Sequence, residues 1–333
     1  GVGSYTSAII EHISGMDHDN DYILLFSNQE LLQRTVERAR FNKAARIASR
    51  IVPCGVFSLK SQWILPRLLG EMNADIYHSP NYFIPFRAFP RNGRRTPRCV
   101  VNVHDVIPLV MPDAVPRSRK RRLFPLYRRL MREVGARADA IVTGSQCARN
   151  DILEHLAIPC DHSRQVVSIA NGVAKRFTPS AHQSTSSGRS VLYVGRRDPY
   201  KNLVSLVEAF ALLLQRGIND ITLRVVGPPD DRYPEAVHRA RDLGVNDRVI
   251  WVNYVTDDEL VKEYQQASVL ALPSQYEGFG LPVLEAMACG APVVCTDAGS
   301  LPEVAGEAAI VVKPDDAAGM ASAITRVLGD NSE

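Results

Sequence analysis

The sequence has 333 residues, of which 45% are hydrophobic and 23% are charged, so it is long enough for two hydrophobic cores and too apolar for a disordered chain. No run approaches the roughly 18 consecutive apolar residues of a membrane-spanning helix, and no basic segment followed by an apolar segment opens the chain. We therefore expect a cytoplasmic protein, either soluble or peripheral at the inner face of the cytoplasmic membrane.

Charge is divided unequally along the chain. Residues 1–174 contain 24 basic and 15 acidic residues, a net charge of +9, whereas residues 175–333 contain 15 basic and 21 acidic residues, a net charge of −6. A basic half often faces a polyanion, which could be nucleic acid, anionic lipid or a phosphorylated substrate. The six cysteines have no metal-site spacing, so we expect reduced thiols and no metal.

Short apolar, β-branched runs alternate with helical patterns along nearly the whole chain. Those of the first half are 22–26, 76–78, 99–103, 140–143 and 166–169. Those of the second half are 191–194, 222–226, 249–251, 269–272, 292–295 and 310–312. This alternation predicts an α/β fold with two doubly wound parallel sheets.

A polar, Ser-rich stretch at residues 180–190 interrupts the alternation. Such composition is typical of an exposed connection between domains. The sequence therefore predicts one domain over residues 1–175 and a second over residues 188–333.

Two cations follow the first predicted strand of the second domain, in the segment Gly-Arg-Arg-Asp-Pro-Tyr-Lys-Asn at 195–202. Ligands of open α/β sheets bind beyond the carboxyl ends of the strands. Arg196 offers a planar fork and Lys201 a compact charge, which together suit the two phosphates of a nucleotide. Taken alone, the segment is more often a solvated basic turn.

Two carboxylates stand eight residues apart after the predicted strand 269–272. Glu277 precedes Pro282 and so is expected in a loop, whereas Glu285 is expected one turn into the following helix. The glycines that flank Phe279 allow close approach of backbone amides to a ligand. A carboxylate that accepts hydrogen bonds from neighbouring hydroxyls is what ribose or hexose recognition requires.

These motifs carry a resemblance that covers nearly the whole chain. The segment YEGFGLPVLEAMACGAPVV resembles the signature of two glutamates separated by seven residues in glycosyltransferase family 4, and VGRRDPYKN resembles its diphosphate-binding loop. The match extends to GVGSYT, HDVIPL, VTGSQ, ANGV and TDAGSLPEV in the same order. The resemblance implies a GT-B fold, with two Rossmann-like domains facing a central cleft, and metal-independent transfer with retention of configuration.

The resemblance also implies roles for residues of the second domain. Arg196 and Lys201 would hold the diphosphate, and Glu277 would bind hydroxyls of the donor sugar. Glu285 would hold the ribose. The residues expected beside the donor are Gly278, Phe279, Gly280 and Leu281.

Two further residues are implied in the first domain. The GVGSYT loop would close on the diphosphate through the amide of Gly3 and its neighbours. His104 would contact the donor sugar and phosphate near the reacting bond, although a histidine after a strand, taken by itself, is more often structural and Asp105 could simply orient it. Relative to the family, a strand before GVGSYT and helices that cross back after Leu328 are expected to be missing from this sequence.

The favoured function is retaining transfer of a hexose from a nucleotide sugar to a glycan or lipid-linked acceptor. No cofactor other than the donor is expected, and GDP-mannose is favoured because HDVIPLVMP resembles bacterial polysaccharide mannosyltransferases. UDP-glucose is the alternative donor. Two other classes are an NAD-dependent oxidoreductase, for which GVGSYT supplies only two of three glycines, and a non-catalytic basic binding protein, which would have no use for a donor site.

The densest basic stretch is residues 117–132, in which apolar residues recur at helical spacing. It is equally compatible with a solvated helix and with a helix that binds an anionic membrane surface or a lipid diphosphate acceptor. Nucleic acid is disfavoured because no aromatic stacking platform accompanies the charge. The Asp-rich run at 17–21 imitates a metal motif but is expected to be a polar loop before a strand.

Overall fold

The computed structural model describes residues 2–39, 46–55, 57–91, 97–114, 123–156, 158, 165–180 and 188–329. The chain forms two compact units. The first unit comprises Gly1–Val103, Arg129–Val142 and Leu156–Val167, and the second comprises His104–Arg128, Thr143–His155 and Ser168–Glu333. Segments on both sides of residue 168 therefore contribute to the second unit, and the domain limits 1–175 and 188–333 remain a prediction.

Twelve α-helices lie in the described residues. They are α1 (Val2–Met16), α2 (Gln29–Ala39), α3 (Ser61–Glu71), α4 (Ile107–Val110), α5 (Phe124–Arg137), α6 (Gln146–His155), α7 (Leu203–Gln215), α8 (Glu235–Asp242), α9 (Asp257–Gln266), α10 (Leu281–Ala288), α11 (Leu301–Ala305) and α12 (Ala317–Gly329).

The described strands also number twelve, and those of the second unit match their predicted bounds within two residues. They are β1 (Tyr22–Phe26), β2 (Ile47–Ile51), β3 (Ile76–Ser79), β4 (Arg98–Asn102), β5 (Ala140–Thr143), β6 (Val166–Ser168), β7 (Arg189–Val194), β8 (Ile221–Val226), β9 (Val249–Val252), β10 (Val269–Leu272), β11 (Val293–Thr296) and β12 (Ile310–Val312).

The strands of the first unit form two sheets. One is the parallel pair β1–β2, and the other has the order β3–β4–β5–β6. Strand β2 was not predicted, because four of its five residues are exposed and its sequence, Ile-Ala-Ser-Arg-Ile, has no apolar run. The small core beside β2 contains Val52, Leu65 and Phe83.

A single six-stranded sheet organises the second unit, in the order β12–β11–β10–β7–β8–β9. All its pairings are parallel, which confirms the predicted α/β class. Strands β10 and β11 are buried at every residue, as nearly continuous apolar sequences predict for a sheet covered by helices on both faces. The chain order reverses between β7 and β10, so the loops after these two strands lie side by side at the switch point of the sheet.

Candidate functional site

An ion pair joins the two loops at the switch point. Lys201 Nζ donates to Glu277 Oε1 and Oε2 at 2.6 and 2.7 Å. Ser274 Oγ donates to Glu277 Oε1 at 2.7 Å, and Glu277 is only 6% exposed. Glu277 lies in a loop as predicted, but it is a buried, paired carboxylate and not a solvated one.

Local backbone geometry places Lys201 at this position. Pro199 begins a 3₁₀ turn that ends at Lys201, and Asn202 then adopts a left-handed conformation, φ 53°, before α7 begins. Asn tolerates this conformation better than most residues. The loops are also joined directly, since Gln275 N donates to Tyr200 O at 2.7 Å.

The backbone of Glu277 is held by the turn that precedes α11. Ser300 donates to Glu277 O from both its backbone N and its Oγ, each at 3.0 Å. Gly299 has φ +59°, and a Cβ on it would lie 2.4 Å from Glu277 O and 2.7 Å from Glu277 N. Any side chain at this position would overlap the backbone of Glu277. Gly299 therefore helps to define where the Glu277 carboxylate points.

Arg196 follows β7 and extends toward solvent, with its side chain 60% exposed. Its Nε lies 2.9 Å from Oδ2 of the buried Asp198, and its backbone carbonyl accepts a hydrogen bond from Tyr193 OH at 2.6 Å. Asp198 therefore restricts the guanidinium, whose remaining donors can reach a ligand. The neighbouring loop approaches closely here, because a Cβ on Gly227 would lie 1.9 Å from Gly195 O.

Backbone contacts bring the loop after β4 against the segment that follows Glu277. A Cβ on Gly278 would lie 2.6 Å from Asp105 Cβ and 2.9 Å from His104 O, so this glycine permits the contact. Ser145 Oγ donates to Gly278 O at 2.7 Å. The structure thus brings His104 beside the Glu277 loop, although sequence reasoning assigned it to the first domain.

Asp105 is a buried carboxyl group that sequence reasoning treated only as a partner of His104. Burial raises its pKa, and His104 and Lys201 oppose that rise while Glu277 adds to it. Its Oδ1 accepts a hydrogen bond from Ile107 N at 3.2 Å. Asp105, Lys201 and Glu277 therefore form one electrostatic group, which no sequence spacing indicates.

Helix α10 carries the second carboxylate. Gly280, φ +93°, precedes Leu281 at the start of the helix, and Pro282 occupies its first turn as predicted. Glu285 lies one turn in and accepts a hydrogen bond from Tyr264 OH at 2.7 Å. Burial is the main cause that raises the pKa of Glu285, and the bond from Tyr264 opposes it.

The prediction of a loop at GVGSYT is wrong. Gly3 lies in the first turn of α1, because the apolar residues that follow it recur at helical spacing and continue the helix to Met16. The first amides of a helix lack intrahelical acceptors, so the Gly3 amide remains able to bind an anion. Gly3 belongs to the first unit.

Two other sequence features can be placed. The run at 17–21 is a polar loop, as predicted: Asp17 accepts hydrogen bonds from the backbone of Asp19 and Asn20 and from Tyr22 OH, and these bonds lower its pKa. In the basic stretch 117–132, residues 117–122 lie outside the described residues and helix α5 begins at Phe124.

Two negative observations concern the described residues alone. None of their His, Cys, Asp and Glu side chains form a group of three or more that could hold a metal ion. None of their helices is both long and apolar enough to cross a bilayer.

Sequence profiles of two known families match the chain. The one described as Glycosyltransferase Family 4 matches residues 1–175, and the one described as Glycosyl transferases group 1 matches residues 175–333.

Individual relatives are similar over much of this chain. O-antigen chain mannosyltransferase B of Escherichia coli is 31% identical over 270 residues, which are 77% of this chain and 66% of the relative. Serotype-specific mannosyltransferase WbdA of Escherichia coli is 30% identical over 328 residues, which are 94% of this chain and 38% of the relative. The chain thus spans less than two thirds of the length of either relative.

Solved structures share the fold at lower identity. Anabaena Alr3699/HepE in complex with UDP-glucose has a TM-score of 0.72 at 17% identity and covers 99% of this chain and 87% of its own. A glycosyltransferase from Rickettsia africae has a TM-score of 0.69 at 16% identity and covers 100% of this chain and 86% of its own. These likenesses establish the GT-B fold.

Proposed function

This chain belongs to glycosyltransferase family 4, and from that premise we propose that it transfers a hexose, with mannose favoured, from a nucleoside diphosphate to a glycan or lipid-linked acceptor. The observation that supports the proposal most strongly is the pair Lys201–Glu277 at the switch point of the sheet, with Arg196 on the same strand end. A cation beside a buried carboxylate suits a ligand that presents phosphate and hydroxyl groups together.

The geometry suggests which of these side chains would bind which part of the nucleotide sugar. Lys201 has three N–H donors and gives two of them to Glu277, so one remains for a phosphate oxygen. Arg196 supplies further donors for the second phosphate. Negative charge develops on the diphosphate as the sugar leaves, so fixed cations at this position stabilise the transition state more than the ground state.

Glu277 is better suited to binding hydroxyls than to attacking the sugar. Its Oε1 already accepts hydrogen bonds from Lys201 and Ser274, which lowers its nucleophilicity and fixes its direction. We propose that configuration is retained without a covalent intermediate, with the leaving phosphate as the base that accepts the proton of the acceptor hydroxyl. The protein then contributes position and charge.

Mannose is the favoured sugar because two relatives of this chain are named mannosyltransferases, and guanine is the favoured base because the resemblance of HDVIPLVMP favours GDP-mannose. UDP-glucose remains the alternative donor. It is kept because HepE, which shares the fold, was solved in complex with UDP-glucose. The remaining proposals are that Glu285 binds the ribose, that His104 contacts the sugar, and that residues 117–132 approach an anionic membrane.

Titration calorimetry with GDP, UDP and ADP, followed by a transfer assay with GDP-mannose and UDP-glucose, tests the proposal. We expect GDP to bind at least tenfold more tightly than UDP and ADP, and label to leave GDP-mannose in the presence of a membrane or polysaccharide extract. Tighter binding of UDP with turnover of UDP-glucose would replace the mannose assignment. Failure of all three nucleotides to bind would overturn the donor site itself.

A further inference from the structure

Three apolar side chains of the first unit project into solvent within seven residues of one another. Phe57 is 64% exposed, Leu59 80% and Trp63 51%, and we call these three residues the 57–63 ridge. Single exposed apolar residues are ordinary on a protein surface, but a group that combines two aromatic rings with a leucine at its most exposed point indicates a surface that contacts something apolar.

The ridge is held outward by packing beneath it. The Phe57 ring lies 5.6 Å from Tyr82 and 5.8 Å from Phe83, measured between centroids. Trp63 lies on α3, whose opposite face buries Leu65 and Leu69. The exposed side chains therefore extend from a folded base and are not the ends of a loosely packed segment.

Exposed cations accompany the ridge. Lys60, Arg67 and Arg87 are exposed, and the Arg87 guanidinium lies 5.0 Å from the centre of the Trp63 ring. Between Glu37 and Glu71 the sequence contains seven Lys and Arg residues and no Asp or Glu. Of these seven cations, Lys60 and Arg67 lie within or next to the ridge in the chain, and together with Arg87 they favour contact with an anionic partner.

We propose that the 57–63 ridge inserts into the interface of an anionic lipid bilayer. Tryptophan and other aromatic rings favour the headgroup region, leucine favours the acyl boundary, and Lys and Arg are attracted to anionic headgroups. A glycan platform fits less well, because Arg87 already covers one face of Trp63 and the most exposed residue of the ridge, Leu59, has no ring on which a sugar could stack. The ridge lies more than fifty residues before the basic stretch 117–132 and does not depend on the donor-site proposal.

Vesicle binding and tryptophan quenching test this surface together. The full chain is sedimented with vesicles of phosphatidylcholine alone or mixed with phosphatidylglycerol, and its fluorescence is followed with brominated acyl chains in the same vesicles. The chain has two tryptophans, so Trp63→Phe leaves only Trp251, which lies in the second unit. We expect quenching with anionic vesicles in the parent and its loss in Trp63→Phe.

Variants separate the apolar and the charged contributions. Phe57→Ser with Leu59→Ser should lower partitioning more than tenfold, because each substitution removes an apolar side chain that the bilayer would bury. Lys60→Ser with Arg67→Ser should lower it about fivefold per charge and reduce its salt dependence. Met16→Ser is the matched control, since Met16 is 79% exposed in the same unit but lies at the end of α1.

The outcomes are decisive whether or not the donor proposal holds. Circular dichroism and thermal unfolding establish that each variant is folded. Equal sedimentation of the parent and the Phe57, Leu59 variant, or quenching that survives Trp63→Phe, would overturn the proposal. So would unchanged vesicle binding with loss of affinity for an acceptor glycan, because the ridge would then be a sugar platform. Parent-like binding by Met16→Ser with weakened binding by the ridge variants would support it.

Discussion

The two units differ in how deeply their strands are buried. In the second unit β10 and β11 are buried at every residue, whereas in the first unit β2 has four exposed residues of five and β3 exposes Ile76 and His78. Glu277, in the loop after a buried strand, is held by Lys201 and Ser274 at its carboxylate and by Ser300 at its backbone. The first unit instead presents apolar and basic side chains outward. A fully covered sheet can fix charged groups in place, and a partly covered sheet leaves a surface that other molecules can contact.

The largest expected effect comes from removing the fixed carboxylate. Glu277→Gln should lower transfer at least about a hundredfold, by loss of an oriented group at the reacting sugar, while nucleoside diphosphate affinity changes much less. Initial rates with labelled donor and calorimetry with GDP measure the two effects. Normal turnover by the folded variant would remove Glu277 from the site.

Substitutions at the same position test how strongly Glu277 and Lys201 stabilise each other. Glu277→Ala leaves Lys201 without its partner and should cost about 1 to 3 kcal/mol of unfolding free energy, whereas Glu277→Ala combined with Lys201→Ala should recover part of that cost without activity. Urea unfolding of the four members of this cycle provides the measurement. Additive losses would mean that the two charges do not interact.

Gly299→Ala should shift the Glu277 carboxylate while leaving its charge unchanged, and so it tests the position of the carboxylate separately from its charge. The new Cβ would overlap the Glu277 backbone at a positive φ, so we expect a loss of about 2 kcal/mol in stability and a fall in kcat. Gly244→Ala is the control, because Gly244 has φ +68° but open space around it. If both variants lose the same stability and neither loses activity, the Gly299 contact does not position Glu277.

A smaller and more selective effect is expected at the exposed cation. Arg196→Ala should weaken the binding of GDP by about 1.5 to 3 kcal/mol and should hardly change the binding of guanosine, because the substitution removes charge-assisted hydrogen bonds to phosphate. Arg216→Ala, an exposed arginine at the end of α7, serves as the control. An equal loss for GDP and guanosine would place Arg196 away from the diphosphate.

Glu285→Gln should alter stability in a pH-dependent way. Burial raises the pKa of Glu285, so the parent loses stability as pH rises from the ordinary carboxyl pKa through the raised folded value. Glutamine does not titrate, so the variant should be more stable than the parent at neutral pH and no more stable at pH values below the ordinary carboxyl pKa. Thermal unfolding across this range measures the difference, and a gap that widens in acid would contradict it.

The smallest expected effect is that of a chelator. Arg196, Lys201 and helix amino termini can neutralise a departing diphosphate, so transfer should be unchanged by excess EDTA. Loss of activity that magnesium or manganese restores would show that a metal carries part of this charge.

The sequence indicated the fold better than the site. Apolar runs such as 269–272 and 310–312 predicted β10 and β12 at the residues where they lie, because short, unbroken apolar and β-branched sequences are typical of strands. Strand β2 and the helix at Gly3 were missed, since the first has an exposed, mixed sequence and the second begins with glycines. Lys201 and Glu277 were expected in one site, but their direct pairing depends on which strands are neighbours.

Other contributors to the site left no signal in spacing. Asp105 and Ser145 come from segments that precede the second sheet in the chain, and Gly299 acts only through the side chain it lacks. Tertiary packing alone brings them to Glu277, so a motif written along the sequence does not contain them.

The pairing of β7 with β10 has a consequence for how the protein folds. Val191 pairs with Val269, 78 residues later in the chain, whereas β7 and β8 are joined through a single helix. Closing the longer loop costs more chain entropy and is expected to come late. Lys201 lies after β7 and Glu277 after β10, so a refolding chain should acquire much of its helical signal before the proposed nucleotide site forms. Binding of a fluorescent nucleotide added during refolding would then report the pairing of β10 with β7.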